Sequence, residues 1–324
     1  MTVFIDAMGG DNAPFEIIRG AVSAVRELGA KITLIGEEKL IGEELKKQGE
    51  QGIDIIPSTQ TIDMHEDPVM AVRKKKDSSM VIGAGLVKGS FSDAFISAGS
   101  TGALLATALL YTGRIKGIQR PAICTMFHLD KPIAVLDNGA NADCKPEYFV
   151  QFAKMGSAYI SGVSDNPRPK VGLLNIGAEE SKGSALYKEA HELLKNDDSI
   201  DFIGNVEASA VFSGIADVIV CDGFAGNIFL KASEGAFKLM MNMLKDSFYA
   251  NPLTKLGALL VKKQIYAKKD MVDPKTYGGS PFLGVNGTVL KAHGNSDALA
   301  VKNAVKQAIT ITEGKVLEKI TQFI

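Results

Sequence analysis

Val3-Phe4-Ile5-Asp6-Ala7-Met8-Gly9-Gly10-Asp11 sets the pattern that decides the fold. An apolar run ends in a carboxylate, opens into a glycine turn and gives way to helical spacing over Pro14–Leu28. Pro stands near the start of that helix, where its missing N–H costs least. The same arrangement recurs along the chain. Ala94–Ile96 leads into Ser97-Ala98-Gly99-Ser100-Thr101-Gly102, and Ile133–Leu136 into Asp137-Asn138-Gly139-Ala140-Asn141. Val171–Leu174 leads into Asn175-Ile176-Gly177-Ala178, and Val218–Val220 into Cys221-Asp222-Gly223-Phe224-Ala225-Gly226-Asn227. Short continuous apolar runs read as strands buried on both faces of a parallel sheet. Helical spacing over Pro146–Ile160, Ser184–Leu194, Ala225–Phe248 and Asp297–Ile320 alternates with them. The expected fold is therefore α/β, an open, doubly wound, mostly parallel sheet in α/β/α layers. Ligands of such sheets bind beyond the carboxyl ends of the strands, so the five turns are expected to converge on one cleft.

The 324 residues are 46% hydrophobic, enough for a large core. They read as one catalytic domain, 1–324, with two lobes, and Asp165-Asn166-Pro167-Arg168-Pro169 is the expected hinge. A net charge of −1 supplies no global field for nucleic acid, so anionic partners must meet local patches. Cys124, Cys144 and Cys221 are odd in number and widely spaced. They make neither a disulfide framework nor a metal site, as expected in a reducing cytosol. No basic start precedes the first strand, and no apolar run reaches the ~18 residues of a membrane span. A cytoplasmic protein is expected, without metal or cofactor.

The turns supply the chemistry. Gly99-Ser100-Thr101-Gly102 opens a helical run, and small residues with unpaired N–H groups there suit an anion. The same residues also read as an ordinary N-cap. Gly9, Gly10 and Asp11 form either a substrate turn beside Asp6 or a plain strand-to-helix turn. Glu179-Glu180-Ser181-Lys182-Gly183 places a lysine between small residues, where it can meet phosphate or an oxyanion, or simply be solvated. Asn227 is placed at a helix start, with an amide able to donate to a developing oxyanion. His293 is a possible acid or base, or a packing residue. No Gly-x-Ser-x-Gly elbow or His-Glu-x-x-His motif occurs, and Cys221 at a strand end reads as an apolar filler.

The segment 249–270 differs from the rest. Over Asn251–Lys269 it carries Lys255, Lys262, Lys263, Lys268 and Lys269 and no acid, with Leu253, Leu256 and Leu260 at helical spacing and Leu259 and Val261 beside them. An amphipathic helix with a basic rim suits an anionic membrane surface or an acidic carrier protein, and also reads as a peripheral helix with solvated lysines. Arg73-Lys74-Lys75-Lys76 is a second basic run and reads as a solvated helix end.

Phe4-Ile5-Asp6-Ala7-Met8-Gly9-Gly10-Asp11-Asn12-Ala13-Pro14 resembles the opening signature of the bacterial phosphate acyltransferases of phospholipid synthesis. Ser97–Ala103, Asp137–Asn141, Asn175-Ile176-Gly177 and Asp222–Asn227 resemble that family's later blocks, in order across nearly the whole chain. The resemblance implies an isocitrate/isopropylmalate dehydrogenase-like fold, shared with phosphotransacetylase. It also implies a homodimer associated peripherally with the inner face of the membrane. The implied reaction moves a fatty acyl group from acyl carrier protein to inorganic phosphate. The acyl phosphate then passes to a glycerol-3-phosphate acyltransferase in the membrane. Lys182 and Asn227 take the family's catalytic positions. Asp6, Gly9, Gly10, Asp11, Ser97, Gly99, Ser100, Thr101, Gly102, Asn138, Asn141, Gly177, Gly183, Asp222, Gly223, Gly226 and His293 are the expected substrate-binding set. Leu253, Leu256, Leu259, Leu260, Val261, Lys262 and Lys263 are the expected membrane contacts, and an acyl groove is expected near Leu253–Val261.

The expected mechanism is direct attack of phosphate on the thioester, with positioning as the main task. Three other readings compete: a phosphate acetyl- or butyryltransferase using acyl-CoA, a metal-dependent NAD(P) dehydrogenase of similar fold, and a non-catalytic carrier-binding scaffold at the membrane.

Overall fold

The computed structural model describes residues 1–128, 131–269, 276 and 278–324, with the backbone alone at 128 and 262–269. All five expected strands form: β1 (Val3–Asp6), β4 (Ala94–Ser97), β7 (Pro132–Leu136), β8 (Lys170–Asn175) and β10 (Val218–Val220). Their apolar residues are buried almost without exception, as strands covered on both faces must be.

These strands divide between two sheets. The first has seven strands in the order β3-β2-β1-β4-β12-β11-β5, adding β2 (Ile32–Gly36), β3 (Asp54–Pro57), β5 (Ala122–Ile123), β11 (Ser280–Leu283) and β12 (Thr288–Lys291). The second has five in the order β6-β7-β10-β8-β9, adding β6 (Thr125–His128) and β9 (Asp201–Glu207). Pairing is parallel except at β11–β12, β11–β5 and β6–β7. The chain crosses between the sheets at Cys124, which separates β5 from β6 and donates its N–H to Pro281 at 3.0 Å. The hinge expected at Asp165–Pro169 is a correction. That segment joins helix α6 (Pro146–Val163) to β8, and both belong to the five-stranded half.

Register places the functional ends together. Lys291 at the end of β12 pairs with Ser97 at the end of β4, and β4 runs parallel to β1. The carboxyl ends of β1, β4 and β12 therefore share one edge. β7 and β10 pair Leu136 with Val220, which aligns their turns in the second sheet.

The expected helices form with small changes. Helix α1 (Phe15–Leu28) stops at Gly29, whose φ of 65° ends it as a left-handed cap. The helix expected over Asp297–Ile320 is two, Ala298–Glu313 and Val316–Phe323. The break falls at Lys315, whose φ of 51° is left-handed, just after Gly314 lies against the backbone of Gly162 in α6. The 27-residue helix α8 (Gly223–Tyr249) buries only its first turn and then runs out beside α9 (Pro252–Lys269). No helix among the described residues is long and apolar enough to cross a membrane.

Candidate functional site

Asp6 builds one wall from within. Its fully buried carboxyl accepts Ser79 Oγ at 2.6 Å, Ser97 Oγ at 2.7 Å and the Met8 N–H at 3.1 Å. Burial pushes its pKa up, and those donors pull it back. The β1 and β4 turns are thus clamped around one side chain. Gly9 is required there, because a Cβ would stand 2.5 Å from Asp6 Oδ2 and 2.9 Å from the Gly99 nitrogen. Asp6, Gly9, Ser97 and Gly99 shape the wall from behind it. Ser100 accepts from the Ala103 N–H and caps helix α5 (Thr101–Thr107). Gly10 lies against Ala98 and Gly294, and the Asp11 N–H donates to Gly294 at 2.8 Å, which ties the first turn to the segment after β12.

Asp137 plays the matching part in the second wall. It is buried and accepts the N–H groups of Ile123 at 2.9 Å, Ala140 at 3.1 Å and Asn141 at 2.6 Å, together with Asn141 Nδ2 at 2.9 Å. Desolvation raises its pKa against these bonds. The bond from Ile123 joins β5 of the first sheet to the β7 turn of the second. Asn141 Nδ2 also reaches Pro121 O at 2.8 Å, so Asn141 serves the frame. Asp222 caps α8 by accepting the Ala225 N–H at 2.8 Å and takes the Tyr187 hydroxyl at 2.6 Å. Gly223 and Gly226 let the first turn of α8 lie on the β7 turn. A Cβ on Gly226 would be 2.0 Å from Asp137 O and 2.8 Å from Cys221 Sγ.

Between the walls lies a cleft of about 650 Å³. The first sheet contributes Asp11, Thr101, Gly102 and Lys291–Asn295, and the second Asn138, Gly139, Asn227, Lys231 and Glu234. Asn138 is 5% exposed, with Nδ2 on Val135 O at 2.7 Å and no partner at Oδ1. Ile123, Phe127, Leu230 and Phe237 form an apolar side. Leu253–Val261, near which an acyl groove was expected, do not line this cleft.

Two cations missed in the sequence stand in this cleft. Lys231 lies one helical turn from Asn227 on α8, and that i, i+4 spacing was the signal for it. Lys291 Nζ donates to Ala98 O at 3.3 Å and to Ala292 O, and burial brings its pKa down to about 8. Asp11 and Asp6 pull that value up, while Lys231 pushes it down. His293 is lowered first by partial desolvation and then by Lys231.

Of the expected residues, Asp11, Thr101, Gly102, Asn138, Asn227 and His293 meet in the cleft. The fourth turn stands apart. Gly177, Lys182 and Gly183 are not among the described lining residues, and Lys182 is 46% exposed with Nζ 4.0 Å from Glu179. Its loop is anchored by Asn205 Nδ2 on Glu179 O at 2.8 Å and by Lys195 on Glu180 at 2.8 Å. Glu180, His191 and Glu192 bring ligand atoms within 4.8 Å of one another. Lys195 and Asn205 already occupy Glu180 and His191, so this cluster is a polar network anchoring the loop. A shallower depression of about 730 Å³ lies elsewhere, around Arg114, Arg120 and Tyr148.

Leu253, Leu256, Leu259 and Leu260 on α9 are 81%, 62%, 69% and 78% exposed, which leaves a bare apolar face. Val261 is 38% exposed, and the side chains of Lys262 and Lys263 lie outside the described residues.

A family model described as fatty acid synthesis protein matches residues 1–319. The chain is 49% identical over 325 residues to a phosphate acyltransferase of Alkaliphilus oremlandii, covering 99% of this chain and 97% of that one. It is 46% identical over 328 residues to a phosphate acyltransferase of Clostridioides difficile, covering 100% and 96%. Among solved structures it superposes on a phosphotransacetylase from Streptococcus pyogenes with a TM-score of 0.62 at 19% identity, covering 98% and 94%, a likeness of fold alone.

Proposed function

The chain belongs to the fatty acid synthesis protein family, whose curated relatives are phosphate acyltransferases, and we propose that its cleft joins inorganic phosphate to a fatty acyl thioester carried by acyl carrier protein. It is an acyltransferase.

One observation carries the proposal. Polar strand ends from both sheets meet in a single cleft whose other side is apolar. The polar end suits an anion, and Ile123, Phe127, Leu230 and Phe237 suit the first carbons of an acyl chain. Phosphate needs no activation by a protein nucleophile, only placement against the carbonyl. Its oxygen attacks the thioester carbon, and collapse of the tetrahedral oxyanion expels the carrier thiolate. Asn227, on the first turn of α8, donates to that oxyanion. Lys182 is assigned the same task, which requires its loop, shaped by Gly177 and Gly183, to move toward the cleft. Cys221 and Cys144 are poor nucleophiles, because burial holds both thiols in the protonated form, Cys144 up to about 12.

The bare leucines of α9 support contact with an anionic membrane, next to a downstream membrane acyltransferase that loads glycerol 3-phosphate. The exposed Leu239, Met240 and Met243 of α8 support the homodimer. The test of the reaction is thiol release from long-chain acyl carrier protein and from acyl-CoA, each with and without phosphate. Phosphate-dependent release from the carrier is expected. Release from short acyl-CoA alone would favour the acetyl- or butyryltransferase reading.

A further inference from the structure

We infer that Lys231 and Lys291 form a two-sided phosphate clamp, one lysine from each half of the molecule, so that the bound dianion bridges the cleft. The inference rests on the function proposed above and names the groups that hold its nucleophile.

The two lysines reach the cleft from unrelated elements. Lys291 ends β12 in the seven-stranded sheet, and Lys231 lies on α8, which leaves β10 of the five-stranded sheet. Both line the same cleft, and the charge of Lys231 is felt by Lys291 and by His293. Two like charges lining one cleft repel until an anion lies between them. A dianion is the ligand that turns this repulsion into attraction on both sides.

Their present bonds suit exchange. Lys291 is steadied by the Ala98 and Ala292 carbonyls, and an ammonium has three protons, so one donor remains. Lys231 is 56% exposed and bonded to Glu234 at 2.8 Å. Glu234 also lines the cleft, so phosphate and Glu234 compete for Lys231. Asp11 lines the wall near Lys291 and opposes any anion there. Asp6 acts on Lys291 from behind the wall, and His293 completes the titrating groups around it. Neighbouring residues therefore act on the anion with opposite signs. Losing either lysine weakens phosphate, and losing the charge of Glu234 strengthens it.

The test is calorimetric binding of inorganic phosphate and of sulfate to the whole protein without any acyl donor. Lys291→Met and Lys231→Met should each weaken both anions by about tenfold or more, the value of one charge-assisted contact. Lys291→Arg should restore much of the loss, and Glu234→Gln should tighten binding. Sulfate stays doubly charged across neutral pH, so its affinity in the wild type should fall as pH rises through about 8, where Lys291 loses its proton. That pH dependence should vanish in Lys291→Met. Unchanged affinity in either methionine variant overturns the clamp. So does weaker binding in Glu234→Gln, or a Lys291→Met loss that Arg does not restore and that tracks a lowered melting temperature. If wild-type thiol release needs phosphate but both methionine variants keep their phosphate KM, the clamp alone fails. If wild type shows no phosphate-dependent release, the proposed function fails.

Discussion

Gly226→Ala should disable the site through one methyl group. The added Cβ would stand 2.0 Å from the Asp137 carbonyl oxygen, 2.8 Å from Cys221 Sγ and 3.0 Å from Asn138 Oδ1. The nearest of these atoms is backbone, and the other two end short, buried side chains. Restoring an ordinary 3.4 Å contact requires the first turn of α8 to retreat from the β7 turn by about 1.4 Å. Overpacking of this kind costs roughly 1–3 kcal/mol. The retreat also carries Asn227 and Lys231 away from the opposite wall, and a displacement near 1 Å lowers turnover about 100-fold. Gly235 provides the control on the same helix. A Cβ there meets nothing within 4 Å, so Gly235→Ala should stabilise the protein by about 0.5–1 kcal/mol through helix propensity. Thermal unfolding and phosphate-dependent thiol release are measured on both variants. A Gly226→Ala protein with wild-type melting and turnover would refute the packing of α8 on the β7 turn.

Further outcomes follow from the same geometry. Asn227→Ala should lower turnover about 100-fold with little change in melting temperature, as for loss of one oxyanion donor, and a Lys182→Ala variant with normal turnover would remove Lys182 from the mechanism. Asp6→Ala strands the Ser79 and Ser97 hydroxyls and the Met8 N–H, and should cost roughly 1–3 kcal/mol in denaturant unfolding. Replacing Leu253, Leu256 and Leu260 with Asp should release the protein from anionic vesicles in a flotation assay while leaving thiol release in solution intact.

The strands and turns were legible because each follows a simple rule. Buried parallel strands are continuous apolar runs, and the turns that leave them need Gly, Asn or Asp. The division into two sheets was not legible. The crossing depends on β5, only two residues long, and on a single cysteine before β6, which carry no periodic signal. The candidate site was read at the level of turns but not of roles. Asp6, Ser97 and Asn141 lie in glycine-rich turns that resemble ligand loops, yet Ser97 donates to Asp6, and Asn141 donates to Asp137 and to the Pro121 carbonyl. Lys291 was hidden for a different reason. A lysine after Thr288-Val289-Leu290 reads as a solvated strand end, and only the pairing of β12 beside β4 brings it into the cleft.

The central account is that phosphate itself attacks the carrier thioester in the cleft between the sheets. Rapid mixing of enzyme with excess long-chain acyl carrier protein tests it most directly. Without phosphate, no carrier thiol should appear, and the enzyme mass should be unchanged. On adding phosphate, thiol and acyl phosphate should rise together. A phosphate-independent burst of thiol equal to the enzyme present, with an acyl adduct on the protein, would contradict it.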